Sequence, residues 1–229
     1  MKIKGLVFSH GTWSDSHLGA STSDGFASPL TDTPRVVCTL ATMTALGIER
    51  ILISVTPESF PAIQSAVHSH FDHRDTQVSY LLSENETSLT ALVAQANEFA
   101  GQSHLLAMTA GACYVRRHSI KQAKESIGPY RGALEIRMRN AGTGKSAYAP
   151  AALVADAKSQ KLLLESQTPQ LFSQTFAQLV EDLRDLPNFS TVDLGPKAFF
   201  VDLMKDKLSA ESLVDSDQIF RTFFPVTNS

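Results

Sequence analysis

Between Lys4 and Arg35 the chain carries neither lysine nor arginine. The gap falls where it matters. An apolar strand, Leu6-Val7-Phe8, empties into "SHGTWSDSH", the place where many α/β nucleotide-binding proteins keep a phosphate loop. Such a loop draws on several glycines and a cation. This one offers Gly11, Trp13 and Asp15. Cysteine is equally scarce: Cys38 and Cys113 stand alone without CxxC spacing, which excludes a disulfide framework or a structural zinc ribbon. Apolar runs are short. The stretch before Ser9 is too brief for a signal-peptide core, and nothing reaches the ~18 apolar residues of a membrane span. The expectation is a cytoplasmic protein without membrane contact. Basic excess is also missing. A net charge of -3 leaves no cationic face for nucleic acid, and "RRHSIKQAK" (116–124) reads as the solvated side of a helix.

What remains is an ordinary globular composition, 43% hydrophobic and 19% charged, in a chain sized for a single domain over 1–229. Strand and helix patterns alternate. After Leu6–Phe8, Pro34 opens "PRVVCTLATMTALG" with apolar residues at helical spacing and Gly47 as the stop. Strand "RILISV", helix "PESFPAIQSAVHSHF", strand "TQVSYLL", helix "TSLTALVAQANEFAG" and strand "SHLLAMT" follow. A helix is expected at 118–126. "RGALEIRMR" and "AALVA", joined by "NAGTGKSAYAP", suggest a hairpin or arm over about 131–157, and "TPQLFSQTFAQLVEDLRDL" a helix opened by Pro169. Strands separated by helices imply a Rossmann-like, mostly parallel sheet covered on both faces. Ligands in such sheets sit beyond the carboxyl ends of the strands.

"HSHFDH" (68–73) fits H-x-H-x-D-H, the metal core of metallo-β-lactamase-type hydrolases. The preceding "PAIQSAV" has helical spacing, however, where that motif follows a strand. Only His104 and His118 lie downstream as further imidazoles. The favoured reading is the polar end of a surface helix, with adventitious zinc binding by His68, His70 and His73 as the residual alternative. A hydrolase is the least favoured function.

The segment "ESQTPQLFSQTFAQLVEDL" (165–183) resembles the TPQ-aromatic segment of 2-C-methyl-D-erythritol 4-phosphate cytidylyltransferases. "ALGIERILISVTPE" and "SENETSLTALVAQANEFAGQSHLLAMTAGA" are similar to that family's first helix–strand unit and its nucleobase segment, helix and metal-bearing strand. More distantly, the core resembles sugar-phosphate nucleotidyltransferases. The likeness spans roughly residues 4–185 and implies a mixed, mostly parallel sheet of nucleotidyltransferase (GT-A-like) type with a projecting β-arm. The chemistry it implies is attack by a substrate phosphate on the α-phosphate of CTP, with Mg²⁺, lysine and arginine neutralising charge. It also implies a homodimer, the arm embracing a second subunit. The resemblance assigns Ser9, His10, Gly11, Thr12, Trp13, Asn85, Ser88 and Thr109 to nucleotide binding, and Arg139, Lys145 and Arg221 to the acceptor phosphate.

Carried over residue by residue, the resemblance breaks at the groups that do the work. Trp13 stands at a glycine, and Ser14 and Asp15 stand at an arginine. Asp24-Gly25-Phe26 replaces the segment with the lysine, Asn85 an arginine, and Thr109 the metal carboxylate. The R-D-T segment becomes Arg139-Asn140-Ala141, and the D-R before the TPQ segment becomes Asp156-Ala157. His10 and His17 are the nearest substitute cations. Such replacements imply a cytidylyltransferase-family protein of weak or no activity, with no confident catalytic residue and no metal ligand; Mg²⁺ would enter only if the chain is active. Two alternatives stand beside it: an active nucleotidyltransferase acting on another phosphorylated polyol or sugar, and a noncatalytic ligand-binding or interaction module. On the first reading, Gly11, Ser88, Thr109 and Asp156 surround one cleft.

Overall fold

A computed structural model describes residues 2–9, 34–71, 74–84, 87, 89–110, 112–114, 117–127, 132–140, 148–165 and 176–202. The strands are β1 (Ile3–Phe8), β2 (Arg50–Val55), β3 (Gln77–Leu82), β4 (His104–Thr109), β5 (Ala112–Tyr114), β6 (Ala133–Asn140), β7 (Tyr148–Ala155), β8 (Phe189–Asp193) and β9 (Phe199–Asp202). The helices are α1 (Arg35–Ala45), α2 (Phe60–His70), α3 (Leu89–Ala100), α4 (Arg117–Ile127), α5 (Ala157–Glu165) and α6 (Phe176–Arg184). All nine strands join one sheet in the order β3-β2-β1-β4-β7-β6-β9-β5, with β8 also paired to β6. The first four spatial neighbours are parallel, whereas β7 runs antiparallel to both β4 and β6.

Side-chain alternation sorts the core into two layers. Val7, Ile51, Ile53, Leu106 and Met108 face α1, α2 and α4. Leu6, Phe8, Leu52, Leu105 and Ala107 face α3 and α6. The helical apolar spacing does the matching job: Val36, Val37, Leu40 and Met43 of α1 are all buried. Gly47 ends α1 at φ +85°, a left-handed cap that costs other residues strain. At the start of α2, Thr56 and Ser59 cap one another: each backbone N–H donates to the other's hydroxyl, at 3.0 and 3.2 Å.

The hairpin pattern at 131–157 is present as β6 and β7. Their inner halves lie within the sheet, β7 against β4 and β6 against β8. The register shifts between Ile136 and Arg137, and the outer part of β6 reaches β9 instead. Positions 141–147 lie outside the described residues. Four elements have no counterpart in the sequence reading: α5, β5, β8 and β9. Of the helix expected from Pro169, the described part is Phe176–Arg184.

Candidate functional site

The parallel strands β1, β2, β3 and β4 end together, and hydroxyl side chains collect there. Phe8 stands level with Thr109 across the β1–β4 pair, and the Ala110 N–H donates to the Phe8 carbonyl at 2.8 Å. Ser9 follows β1 and is buried; its hydroxyl donates to the Ser54 carbonyl on β2. The Ser54 hydroxyl donates in turn to the Val7 carbonyl at 3.3 Å. Thr39, on α1, donates to the carbonyls of Thr109 and Ala112 at 3.2 and 2.9 Å. These hydroxyls are therefore held by backbone carbonyls beneath the surface. They brace the end of the sheet rather than present donors to solvent.

Thr109, at the position the resemblance gives to a metal-bearing carboxylate, is buried and neutral. Mg²⁺ dehydrates reluctantly and is held by one or two carboxylates with substrate phosphates. A threonine hydroxyl does not meet that need, and no group of His, Cys, Asp or Glu among the described residues is arranged to hold a metal. Among the described residues, none at this strand end fits the ion.

Arg139 lies at the same end of the sheet. It pairs with Tyr148 across β6–β7, and its guanidinium rests over the Tyr148 ring at 5.8 Å. Two strand spacings separate β6 from β4, about 10 Å. Nε of Arg139 is buried and has no hydrogen-bond partner among the described residues. Ser9, Thr109 and Arg139 are thus the predicted site residues brought to one end. His10, Gly11, Thr12, Trp13, Asn85, Ser88, Lys145 and Arg221 lie outside the described residues, as do Asp15, His17, Gly25 and the TPQ turn.

Asp156 is a correction. Because β7 runs antiparallel to β4, Ala155 stands opposite Leu105, and Asp156 emerges beside His104 at the amino end of β4. Thr109 is five residues further along, about 16 Å away at strand rise. Asp156 instead caps α5: its carboxylate accepts from the Ser159 N–H at 2.8 Å and from the Gly132 N–H at 2.9 Å. Burial alone would raise its pKa. Donation from Ser159 and Gly132, with the charge of His104, outweighs that and lowers it.

His68 and His70 are exposed in the last turn of α2, the helix end that the apolar spacing indicated. At two residues' separation they point about 200° apart around the helix, so they cannot share an ion while it stays wound. His73 lies outside the described residues. Residues the sequence reading missed are Thr39, Ser54, Thr56 and Ser59. The available signal was Thr39 itself, a hydroxyl inside the apolar run "VVCTLATM".

No protein-family model and no curated protein matches the sequence. Solved structures do. A protein from Bacillus anthracis assigned as a glucose-1-phosphate thymidylyltransferase aligns over 93% of this chain and 94% of its own, with TM-score 0.71 and 12% identity. HddC from Yersinia pseudotuberculosis aligns over 94% and 100%, with TM-score 0.68 and 11% identity. The inositol-1-phosphate CTP transferase of T. maritima aligns over 96% of both chains, with TM-score 0.67 and 9% identity. The chain has the nucleotidyltransferase fold. At such identity the likeness is one of fold, and it agrees with the mixed, mostly parallel sheet expected from the sequence.

Proposed function

We propose that this chain is a diverged nucleotidyltransferase-fold protein that binds a nucleotide at the carboxyl end of the parallel strands and transfers nucleotidyl groups weakly or not at all. The observation that carries this is Thr109: a buried, neutral side chain on the strand end where charge neutralisation is needed. Phosphoryl-type transfer gives a protein little covalent work, so rate depends on placed positive charge. Losing one such preorganised group costs about a hundredfold to a thousandfold. The absence of lysine and arginine between Lys4 and Arg35 points the same way. In this reading CTP is the reference nucleotide, by resemblance to the cytidylyltransferases. Arg139 receives an acceptor phosphate, since it stacks on Tyr148 at the same sheet end with Nε unpartnered among the described residues. The reading includes a homodimer, which light scattering at micromolar concentration tests.

The deciding assay is pyrophosphate release from CTP, UTP, GTP, ATP and dTTP with Mg²⁺, against a panel of sugar and polyol phosphates. Thermal shifts are recorded on the same mixtures. A nucleotide-dependent rise in melting temperature without product is expected. Efficient pyrophosphate release would replace this reading with an active enzyme.

A further inference from the structure

The opposite end of the sheet carries a charge conflict that neither the fold nor the proposed nucleotide site requires. Gly5 pairs with Ile51 in the parallel β1–β2 ladder, which sets Lys4 directly beside Arg50. Both cations address one ring. Lys4 Nζ lies 5.1 Å and the Arg50 guanidinium 5.7 Å from the centroid of Phe99 on α3. Lys4 also donates to the Phe99 carbonyl, which fixes the ammonium beside the guanidinium. Lys2 adds a third positive charge close enough to act on Lys4. Among the described residues no carboxylate forms an ion pair with any of the three. Glu98, next to Phe99, is exposed and makes none.

Like charges on directly opposed strand positions are destabilising, and in a chain of net charge -3 there are carboxylates enough to relieve them. Desolvation by burial is the largest cause that lowers the Lys4 pKa, and the neighbouring charges of Arg50 and then Lys2 lower it further. The donors left over suit an oxyanion. Lys4 keeps N–H groups beyond the one given to Phe99, Arg50 presents a planar fork, and Lys2 is solvent-accessible. We propose that Lys4 and Arg50, seated on Phe99, form together with Lys2 a binding site for a small multivalent oxyanion, a molecule bearing phosphate or carboxylate groups. This site lies at the amino end of β1, away from Ser9 and Thr109, and does not depend on the nucleotide reading. The fold presents it whether or not the carboxyl end binds anything.

The test is reductive methylation of lysines in the full chain, read by mass spectrometry, with Lys121 as the exposed reference. Pyrophosphate, citrate and chloride are compared at matched ionic strength. At about ten times its Kd, a ligand on this site slows Lys4 modification about tenfold relative to Lys121, because the free fraction falls as 1/(1 + [L]/Kd). Protection by pyrophosphate alone identifies a phosphate site, protection by citrate alone a carboxylate site, and protection by both general oxyanion recognition. The Lys2→Gln/Arg50→Gln variant should lose that protection while Lys4 remains as the reporter. Circular dichroism confirms its fold, and each single variant, read the same way, serves if the double one unfolds. Equal modification with and without both oxyanions, equal protection by chloride, or full protection in the folded variants would overturn the proposal.

Discussion

Thr39 holds the end of β4 from the side: its one hydroxyl donates to the carbonyls of Thr109 and Ala112. α1 is thereby fastened to the strand end where the candidate site lies. Thr39→Val keeps the shape but leaves two buried carbonyls short of a donor. A cost of about 1–3 kcal/mol is expected. At this chain length each kcal/mol lowers the melting temperature by about 2–4 °C. Thr39→Ser, which retains the hydroxyl, should lose much less. Equal losses in a thermal melt would show that the threonine methyl, not the hydroxyl, does the work.

Gly132 enters β6 at φ +113°, and a Cβ built there would stand 2.4 Å from the Asn188 carbonyl oxygen. Gly101, at φ +60°, has nothing within 4 Å of its Cβ position. Gly101→Ala should therefore cost about 1 kcal/mol from backbone strain alone. Gly132→Ala adds a backbone clash that no rotamer relieves, and it should cost well over twice that. Urea unfolding of the two variants checks the order. Similar midpoints would mean that the 132–188 contact gives way easily.

Asp156 supplies a pH dependence with a definite sign. Its carboxyl is lowered from the ordinary 3.8: burial opposes the shift, and donation from Ser159 and Gly132, with the charge of His104, overcomes it. A carboxyl lowered on folding stabilises the fold fully above its unfolded pKa, and that contribution is lost as pH falls through the folded value. Asp156→Ala should therefore cost about 0.5–2 kcal/mol near neutrality, the usual worth of a helix cap. The gap from the parent protein should narrow below pH 3.8. A gap that stays constant from pH 7 into that acid range would leave the cap's charge without a role.

The core strands and first helices are legible in the sequence because periodicity records burial. Val7 and Leu6 alternate between layers, and α1 buries residues at helical spacing. The strands β8 and β9 carry weaker patterns. In β8, Ser190, Thr191 and Asp193 are exposed beside half-buried Phe189 and Val192, so pairing to β6 rather than composition makes it a strand. The Asp156 misplacement has a topological cause. Sequence order puts Asp156 after a strand end, but β7 is reversed relative to β4, so that strand end points away from the site. Glu135 shows the same limit. Nothing local in "ALEIRM" marks the Glu135 carboxylate as buried. It is fully buried, accepting from the Thr191 hydroxyl at 2.9 Å with Arg137 and Arg184 at 3.6 and 3.5 Å. Partners that close a buried charge come from elsewhere in the chain, and no local pattern announces them.

Mg²⁺ should make almost no difference to nucleotide binding by the unmodified protein. Calorimetry with CTP is expected to give weak binding whose affinity is the same with Mg²⁺ and with EDTA, because Thr109 offers a buried neutral side chain instead of an anion. Thr109→Asp on its own places a carboxylate in a site that excludes water. It should destabilise the fold by several kcal/mol while unpaired. If the strand end is the nucleotide site, Mg²⁺ with CTP should recover part of that loss, raising the melting temperature of the variant far more than that of the parent. Gly25→Lys in the same chain restores the missing cation and should make CTP binding depend on Mg²⁺. A melting temperature for Thr109→Asp that ignores Mg²⁺ and CTP together would move the nucleotide away from β4. Tight, Mg²⁺-dependent CTP binding by the parent would mean that carboxylates from elsewhere in the chain complete the site, and the noncatalytic reading would fall.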